Sequence, residues 1–261
     1  MNKGDLRRAL HDGTMVYGTR IVSPSPVWPQ AVAETGIDFV FLDLEHIPLE
    51  RDRLSWMCHM YGALGIAPLV RISRPDPYMA TTVLDGGAAG IIAPYVETVA
   101  QARALRGAVK LRPLKGEKLN VLLEEDRVLP ESTRNYLAER NTDSILILNI
   151  ESEPALEGLD QLLAVPGLDA LLVGPHDLAL NLGIPDQYDH PRFRQAVAHI
   201  IRSARQHQIG VGVHFFAVAE KQIAWAKEGA NLVIHGTDME LFQRALGHDI
   251  GLIRKALGEA E

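Results

Sequence analysis

The sequence predicts an α/β protein, a single (β/α)8 TIM barrel spanning residues 1–261, and three observations predict it. Short apolar runs alternate eight times with stretches of helical period, the pattern that βαβ units on a parallel sheet produce. The length of 261 residues suits one barrel of this kind, which occupies about 250 residues as a single domain. Hydrophobic residues make up 47% of the chain and charged residues 23%, so there is enough apolar material to close such a core.

Taken in order, the strands are read at 16–22, 39–45, 68–72, 90–96, 144–151, 170–174, 210–215 and 232–235. Each is short and nearly all apolar, which predicts burial on both faces. The intervening segments carry helical spacing. In 192–207, for example, Phe193, Ala196, Val197, Ile200, Ile201 and Ala204 fall on one stripe that would pack on the barrel's outside. Several joins repeat a glycine, a hydrophobic residue, Asp or Asn, and a hydrophobic residue, as in Gly36-Ile37-Asp38-Phe39 and Gly229-Ala230-Asn231-Leu232. Glycine there can supply the left-handed turn that ends a helix. The exception is 112–130, a polar connection containing Lys115-Gly116-Glu117-Lys118 and too long for a plain turn. It reads as a lid or a subunit-contact loop. No low-complexity tract or composition shift marks a domain linker.

Bulk properties exclude several function classes. A net charge of -7 and a pI near 5.8 give no electrostatic reason to bind a polyanion, so no nucleic-acid partner is expected. The lone cysteine, Cys58, rules out an internal disulfide or a thiolate metal cluster and suits a reducing compartment. The first residues carry charge where a signal peptide would be apolar, and no apolar run reaches roughly 18 residues. The expectation is a cytoplasmic protein with no membrane partner.

In a barrel of this type the carboxyl ends of the strands form the reactive face. Those ends carry Arg20, Asp43, Glu45, His46, Arg71, Asn149, Glu151, Asp177, His214 and His235, while the strand bodies are apolar. Glu151 and Asp177 can supply hard oxygen ligands to a divalent ion and leave positions open for substrate. The alternative is that Asp177 caps a following helix and Glu151 pairs with Arg71 as structural charge. His46, beside carboxylates, is either a general base or an exposed, inert side chain. Arg71 either binds a substrate oxygen that becomes negative in the transition state or forms a salt bridge to a nearby acid. Gly174-Pro175-His176-Asp177 reads as a tight turn whose backbone N–H groups can point at a carboxylate, with His176 touching substrate or shielding the turn. Cys58 reads as packing, and His11, His59, His190, His199, His207 and His248 as surface residues.

Asp43-Leu44-Glu45-His46, Val70-Arg71, Ile150-Glu151 and Gly174-Pro175-His176-Asp177-Leu178 resemble, in order and spacing, the HpcH/HpaI aldolase family. The resemblance extends nearly end to end. It takes in Leu84-Asp85-Gly86-Gly87-Ala88, Ile92-Ala93-Pro94, Pro113-Leu114-Lys115-Gly116, Gly183-Ile184-Pro185 and His190-Pro191. It implies a barrel of the phosphoenolpyruvate/pyruvate-domain type and a class II pyruvate aldolase acting on a 4-hydroxy-2-oxo acid, yielding pyruvate or a close analogue such as hydroxypyruvate, and an aldehyde. By the same likeness Glu151 and Asp177 would ligate Mg2+, Mn2+ or Co2+, Arg71 would stabilise the enolate oxygen, and His46 would take the proton of the C4 hydroxyl. Asp85 matches the residue that raises the basicity of that histidine, Asp43 would help to orient it, Gly174 to Asp177 would hold the pyruvate carboxylate, and Asn149 matches a substrate contact. A homo-oligomer, trimer or hexamer, is also implied, often built by exchange of the last helix.

The chemistry agrees with the residues, since an enolate needs an electrophile close by. The rival device, a Schiff-base lysine, is disfavoured because no lysine falls on a predicted strand. Two other readings remain: a coenzyme A thioester lyase of the malyl or citramalyl type, against which the lack of a basic groove counts, and a non-catalytic barrel that binds a 2-oxo acid. There are departures from the family pattern. Asn149 stands where glutamine is familiar, His176 replaces a usually small residue, and Arg20 falls where an aromatic residue can line the pocket. The last two point to a polar or anionic acceptor aldehyde.

Overall fold

A computed structural model describes residues 1–125, 129–214 and 218–259. Eight strands, β1 (Val16–Ile21), β2 (Phe39–Asp43), β3 (Ala67–Arg71), β4 (Gly90–Ala93), β5 (Ile145–Ile150), β6 (Ala170–Val173), β7 (Gly210–Val213) and β8 (Leu232–Thr237), close into one barrel in sequence order. All neighbours are parallel, including β8 against β1. The predicted end of the seventh strand at Phe215 lies outside the described residues.

Alternation along each strand sorts the core into two bodies. Phe39, Phe41, Leu69, Ile145, Ile147, Ala170, Leu172, Leu232 and Ile234 fill the interior. Val40, Leu42, Val70, Leu146, Leu148, Leu171 and Val173 pack outward under the helices, as the period of two requires. Glycines make room for the bulky interior residues. A Cβ on Gly18 would lie 2.5 Å from the Phe39 ring, and one on Gly90 would lie 2.5 Å from Ile145 Cβ.

The amino end of the barrel is closed by helix Lys3–Asp12, whose Leu6 and Leu10 join the interior cluster. A buried carboxylate fastens this closure. Asp169 lies 2.7 Å from Arg7 Nε, 2.9 Å from His11 Nε2 and 2.6 Å from Lys110 Nζ, and it accepts the Leu146 N–H at 2.8 Å. Burial opposes ionisation of Asp169, but the hydrogen bonds and charge of His11 and Lys110 outweigh it and hold its carboxyl below the usual range. His11, read above as a surface residue, is thus part of the barrel's foot.

The 112–130 segment differs from expectation. Residues Glu117–Glu125 form a helix whose Leu119 and Leu123 lie against Gly107, near the end of helix Val99–Lys110. The segment therefore starts on the outside of the barrel at its amino end, and its described part is no lid over the carboxyl-end mouth. Residues 126–128 lie outside the described residues.

After β8 the chain runs into helix Asp238–Leu257, which opens with a capping box between Thr237 and Glu240. The carboxylate of Asp238 accepts the N–H groups of Val22 and Ser23, pinning the helix start to the end of β1. Beyond that point Phe242, Leu246, Ile250, Ile253 and Leu257 are exposed along one stripe. No helix among the described residues is long and apolar enough to cross a membrane.

Candidate active site

The inward-facing series that fills the barrel changes character at its carboxyl end. Phe39 and Phe41 are followed two residues on by Asp43, Leu69 by Arg71, Ile147 by Asn149 and then Glu151, and Gly212 by His214. The parity that buries the core therefore delivers these polar side chains to one place. A cavity of about 290 Å³ opens there, lined by Arg20, His46, Arg71, Asn149, Glu151, Gly174, Pro175, His176, Asp177 and His214.

Pairing of β2 with β3 sets Asp43 beside Arg71. Asp43 accepts two bonds from the guanidinium, from Nε at 2.9 Å and from Nη2 at 2.6 Å, a planar fork that fixes its orientation. Glu45 takes Nη1 at 3.0 Å, and the Phe41 ring lies 5.3 Å beneath the guanidinium carbon. Arg20 reaches the same Asp43 with Nη1 at 3.5 Å. Burial works against the Asp43 charge, yet the bond and charge of Arg71 hold its carboxyl below the usual range. The expected role of Asp43 is corrected here: it positions Arg71 and not His46. The salt-bridge reading of Arg71 holds too, with Asp43 and Glu45 as the partners in place of Glu151, and the guanidinium still borders the cavity. His46 stands at the rim, 60% exposed, with Nε2 3.7 Å from Glu45.

Across the cavity Glu151 is buried at the end of β5. Its Oε1 accepts the Tyr95 N–H at 2.7 Å, and its Oε2 accepts Asn149 Nδ2 at 3.1 Å. Burial first, and then the charges of Asp177 and Glu45, push its carboxyl up to about 7. Glycine is required at 174, since a Cβ there would lie 2.2 Å from Glu151 Oε2. Gly174 is followed by helix Pro175–Asn181 rather than an isolated turn, and proline at its first position suits a site with no N–H to satisfy. Asp177, in the first turn of that helix, accepts the Tyr95 hydroxyl at 2.8 Å, and Asn181 Nδ2 ties the backbone carbonyls of Asp177 and Glu151 together. The two proposed ligands thus converge. His176 is exposed, with Nδ1 3.3 Å from Asp186.

Within one chain Asp85, expected to pair with His46, does not join these residues. It is the last residue of helix Pro77–Asp85, which runs from the end of β3 back towards the start of β4, so it lies at the barrel's amino end, where it pairs with Arg112 at 2.8 Å. Within one chain it cannot act on His46.

Three contributors had no assigned role in the sequence reading. Glu45 was visible in the Asp43 to His46 motif but shares Arg71 with Asp43 only through the fold. His214, buried with its ring 5.3 Å from that of Phe41, has its imidazole pushed down to about 3 by burial and by Arg71 and Arg20, so it is neutral. Tyr95 follows β4, a strand whose end carries no charged residue to mark it.

On this scaffold the comparisons identify the class. The family model described as HpcH/HpaI aldolase/citrate lyase matches residues 21–245, and the chain belongs to that family of carbon–carbon lyases. It is 31% identical over 252 residues to the 2-keto-3-deoxy-L-rhamnonate aldolase of Klebsiella pneumoniae subsp. pneumoniae, covering 95% of this chain and 92% of that protein. Among solved structures, an HpcH/HpaI aldolase from Desulfitobacterium hafniense superposes with a TM-score of 0.82 at 26% identity, over 95% of this chain and 96% of that one. A citrate synthase superposes with the same score and identity, over 97% and 99%.

Proposed function

We infer that the chain is a class II aldolase that reversibly cleaves a 4-hydroxy-2-oxo acid to pyruvate, or a close analogue such as hydroxypyruvate, and an aldehyde. The observation that carries this reading is the convergence of Glu151 and Asp177 on one side of a cavity whose other side is a rigidly held Arg71. The donor set fits a divalent ion. Glu151 and Asp177 are hard carboxylates, and burial, followed by the charges of Asp177 and Glu45, raises the Glu151 carboxyl, a penalty that a cation of the Mg2+, Mn2+ or Co2+ kind would relieve. Among the described residues no group of three or more His, Cys, Asp or Glu side chains gathers to hold a metal, so substrate and water would complete the shell. When bound, the ion supplies Lewis-acid polarisation of the 2-oxo group.

The chain's own residues do the rest. Arg71 presents its cation to the oxygen that gains charge as the carbon–carbon bond breaks. His46, directly or through water, takes the proton of the C4 hydroxyl. Asn149 Oδ1, buried without a hydrogen-bond partner among the described residues, accepts a substrate hydroxyl, since such an atom is costly to leave unpaired. The backbone at His176 and Asp177, following Gly174 and Pro175, receives the pyruvate carboxylate. No lysine stands on any of the eight strands, in keeping with a mechanism without a Schiff base.

Pyruvate release from a 4-hydroxy-2-oxo acid should stop on treatment with EDTA and return on addition of Mn2+ or Mg2+; an EDTA-resistant rate would contradict the mechanism. His46→Ala should lower kcat about 100-fold or more, the loss expected of a general base, and unchanged turnover would remove it from that role. Arg20, on the inward face of β1, together with His176 at the rim, supports an acceptor with a polar or anionic group. Arg20→Ala should lower kcat/KM for acidic acceptors about 10-fold or more, as for loss of a charge-assisted hydrogen bond, and spare neutral ones. Equal effects on both classes would sink this assignment.

The exposed apolar stripe on helix Asp238–Leu257 supports a homo-oligomer, trimer or hexamer, since contiguous apolar surface marks a contact face. A cytoplasmic setting is supported by the single buried thiol, Cys58.

A further inference from the structure

Tyr95 has three features that nothing in the mechanism above uses. It is a bulky non-glycine residue in the left-handed region, with φ +46, a conformation uncommon for such side chains and maintained only where the surroundings hold it. Its backbone N–H is donated to Glu151 Oε1 at 2.7 Å. Its hydroxyl, at the far end of the ring, is donated to Asp177 Oδ1 at 2.8 Å. One residue therefore touches both carboxylates, which come from different elements, β5 and helix Pro175–Asn181.

The backbone conformation is what permits this. Directly after Pro94, at the end of β4, the left-handed turn lets the peptide N–H meet the carboxylate of the neighbouring strand while the ring spans to the helix beyond β6. Each carboxylate also has a second attachment. Asn149 holds the other oxygen of Glu151, and Asn181 holds the backbone of Asp177. The Tyr95 hydroxyl, by contrast, acts on the carboxylate of Asp177 itself, a group on a seven-residue helix whose side chain is otherwise partly open to solvent.

We propose that Tyr95 is a positioning residue for the divalent ion, clasping Glu151 through its backbone and Asp177 through its hydroxyl so that the two carboxylates are presented together. The inference rests on Glu151 and Asp177 being the ligands. It gives the left-handed conformation of Tyr95 a purpose: it is the one from which a single residue reaches both. Outer partners of this kind orient metal ligands and raise affinity without touching the metal.

The test is titration calorimetry of Mn2+ into the chelator-stripped full-length protein, comparing wild type, Tyr95→Phe and Asp177→Asn. Phenylalanine keeps the ring and the N–H to Glu151 and deletes only the hydroxyl. Its Mn2+ dissociation constant should rise about 10-fold, at the lower end of the effect of losing an outer-sphere partner, with the metal-free melting temperature little changed. Asp177→Asn should weaken Mn2+ more than Tyr95→Phe. If Tyr95→Phe binds Mn2+ like the wild type while Asp177→Asn binds it poorly, the clasp is refuted and the ligand assignment stands. If neither substitution changes Mn2+ binding, or the wild type binds none, the ligand assignment fails and takes the clasp with it.

Discussion

Replacement of Arg71 by lysine is expected to lower kcat about 100- to 1,000-fold, the range for removing a preorganised donor from a developing oxyanion. The charge survives in this variant, so the loss would measure geometry. Asp43 engages Nε and Nη2, and Glu45 engages Nη1, a three-point grip that an ammonium on a flexible stem cannot reproduce. Steady-state kinetics on the retro-aldol reaction separates the possibilities. A kcat within tenfold of the wild type would mean that Arg71 serves mainly to neutralise Asp43 and Glu45. Alanine is the poorer choice, because it strips Asp43 and Glu45 of the cation they share, and breaking a buried ion pair costs about 3 to 5 kcal/mol in its own right.

Glu151→Gln is the second substitution with a large expected effect. The amide is nearly isosteric, its oxygen can still accept the Tyr95 N–H, and Gly174 still leaves room for it. What disappears is one of two negative donors. The Mn2+ dissociation constant should rise by more than about 100-fold, since even outer-sphere partners are worth about 10- to 100-fold. Pyruvate release should be lost at metal concentrations that saturate the wild type and partly return with excess Mn2+. Wild-type affinity in this variant would mean that the ion, if bound at all, is held elsewhere.

Much of the architecture could be read from the residues because parallel barrel strands are buried on both faces and therefore stand out as apolar runs. The strands agree with the structure to within three residues at either end. Helix Lys3–Asp12 escaped notice because Lys3, Asp5, Arg7, Arg8 and Asp12 mask a buried stripe made of Leu6, Ala9 and Leu10 alone. Helix Glu117–Glu125 was hidden by its charges, although Leu119, Leu122 and Leu123 carried helical spacing.

The site was legible where a charged residue ended a strand, as at Arg20, Asp43, Arg71 and Glu151, all of which reach the mouth of the barrel. It was illegible where the decisive fact was which neighbour a side chain meets. Asp43 stands three residues before His46 in sequence, yet register hands it to Arg71. Asp85 precedes a strand rather than following one, so topology places it at the opposite end. Tyr95 acts through a backbone turn and a phenol, and neither shows in a pattern of charge.

The knot around Asp169 has a practical corollary. It joins the first helix, the end of helix Val99–Lys110 and the edge of β5 through one side chain, at the pole remote from the cavity. Rigidity is thereby invested in one hemisphere and reactivity in the other. Laboratory evolution of acceptor preference can accordingly vary His176, exposed at the rim, with little cost to thermal resistance, while hardening the molecule is a matter for the base, where no reacting atom ever arrives.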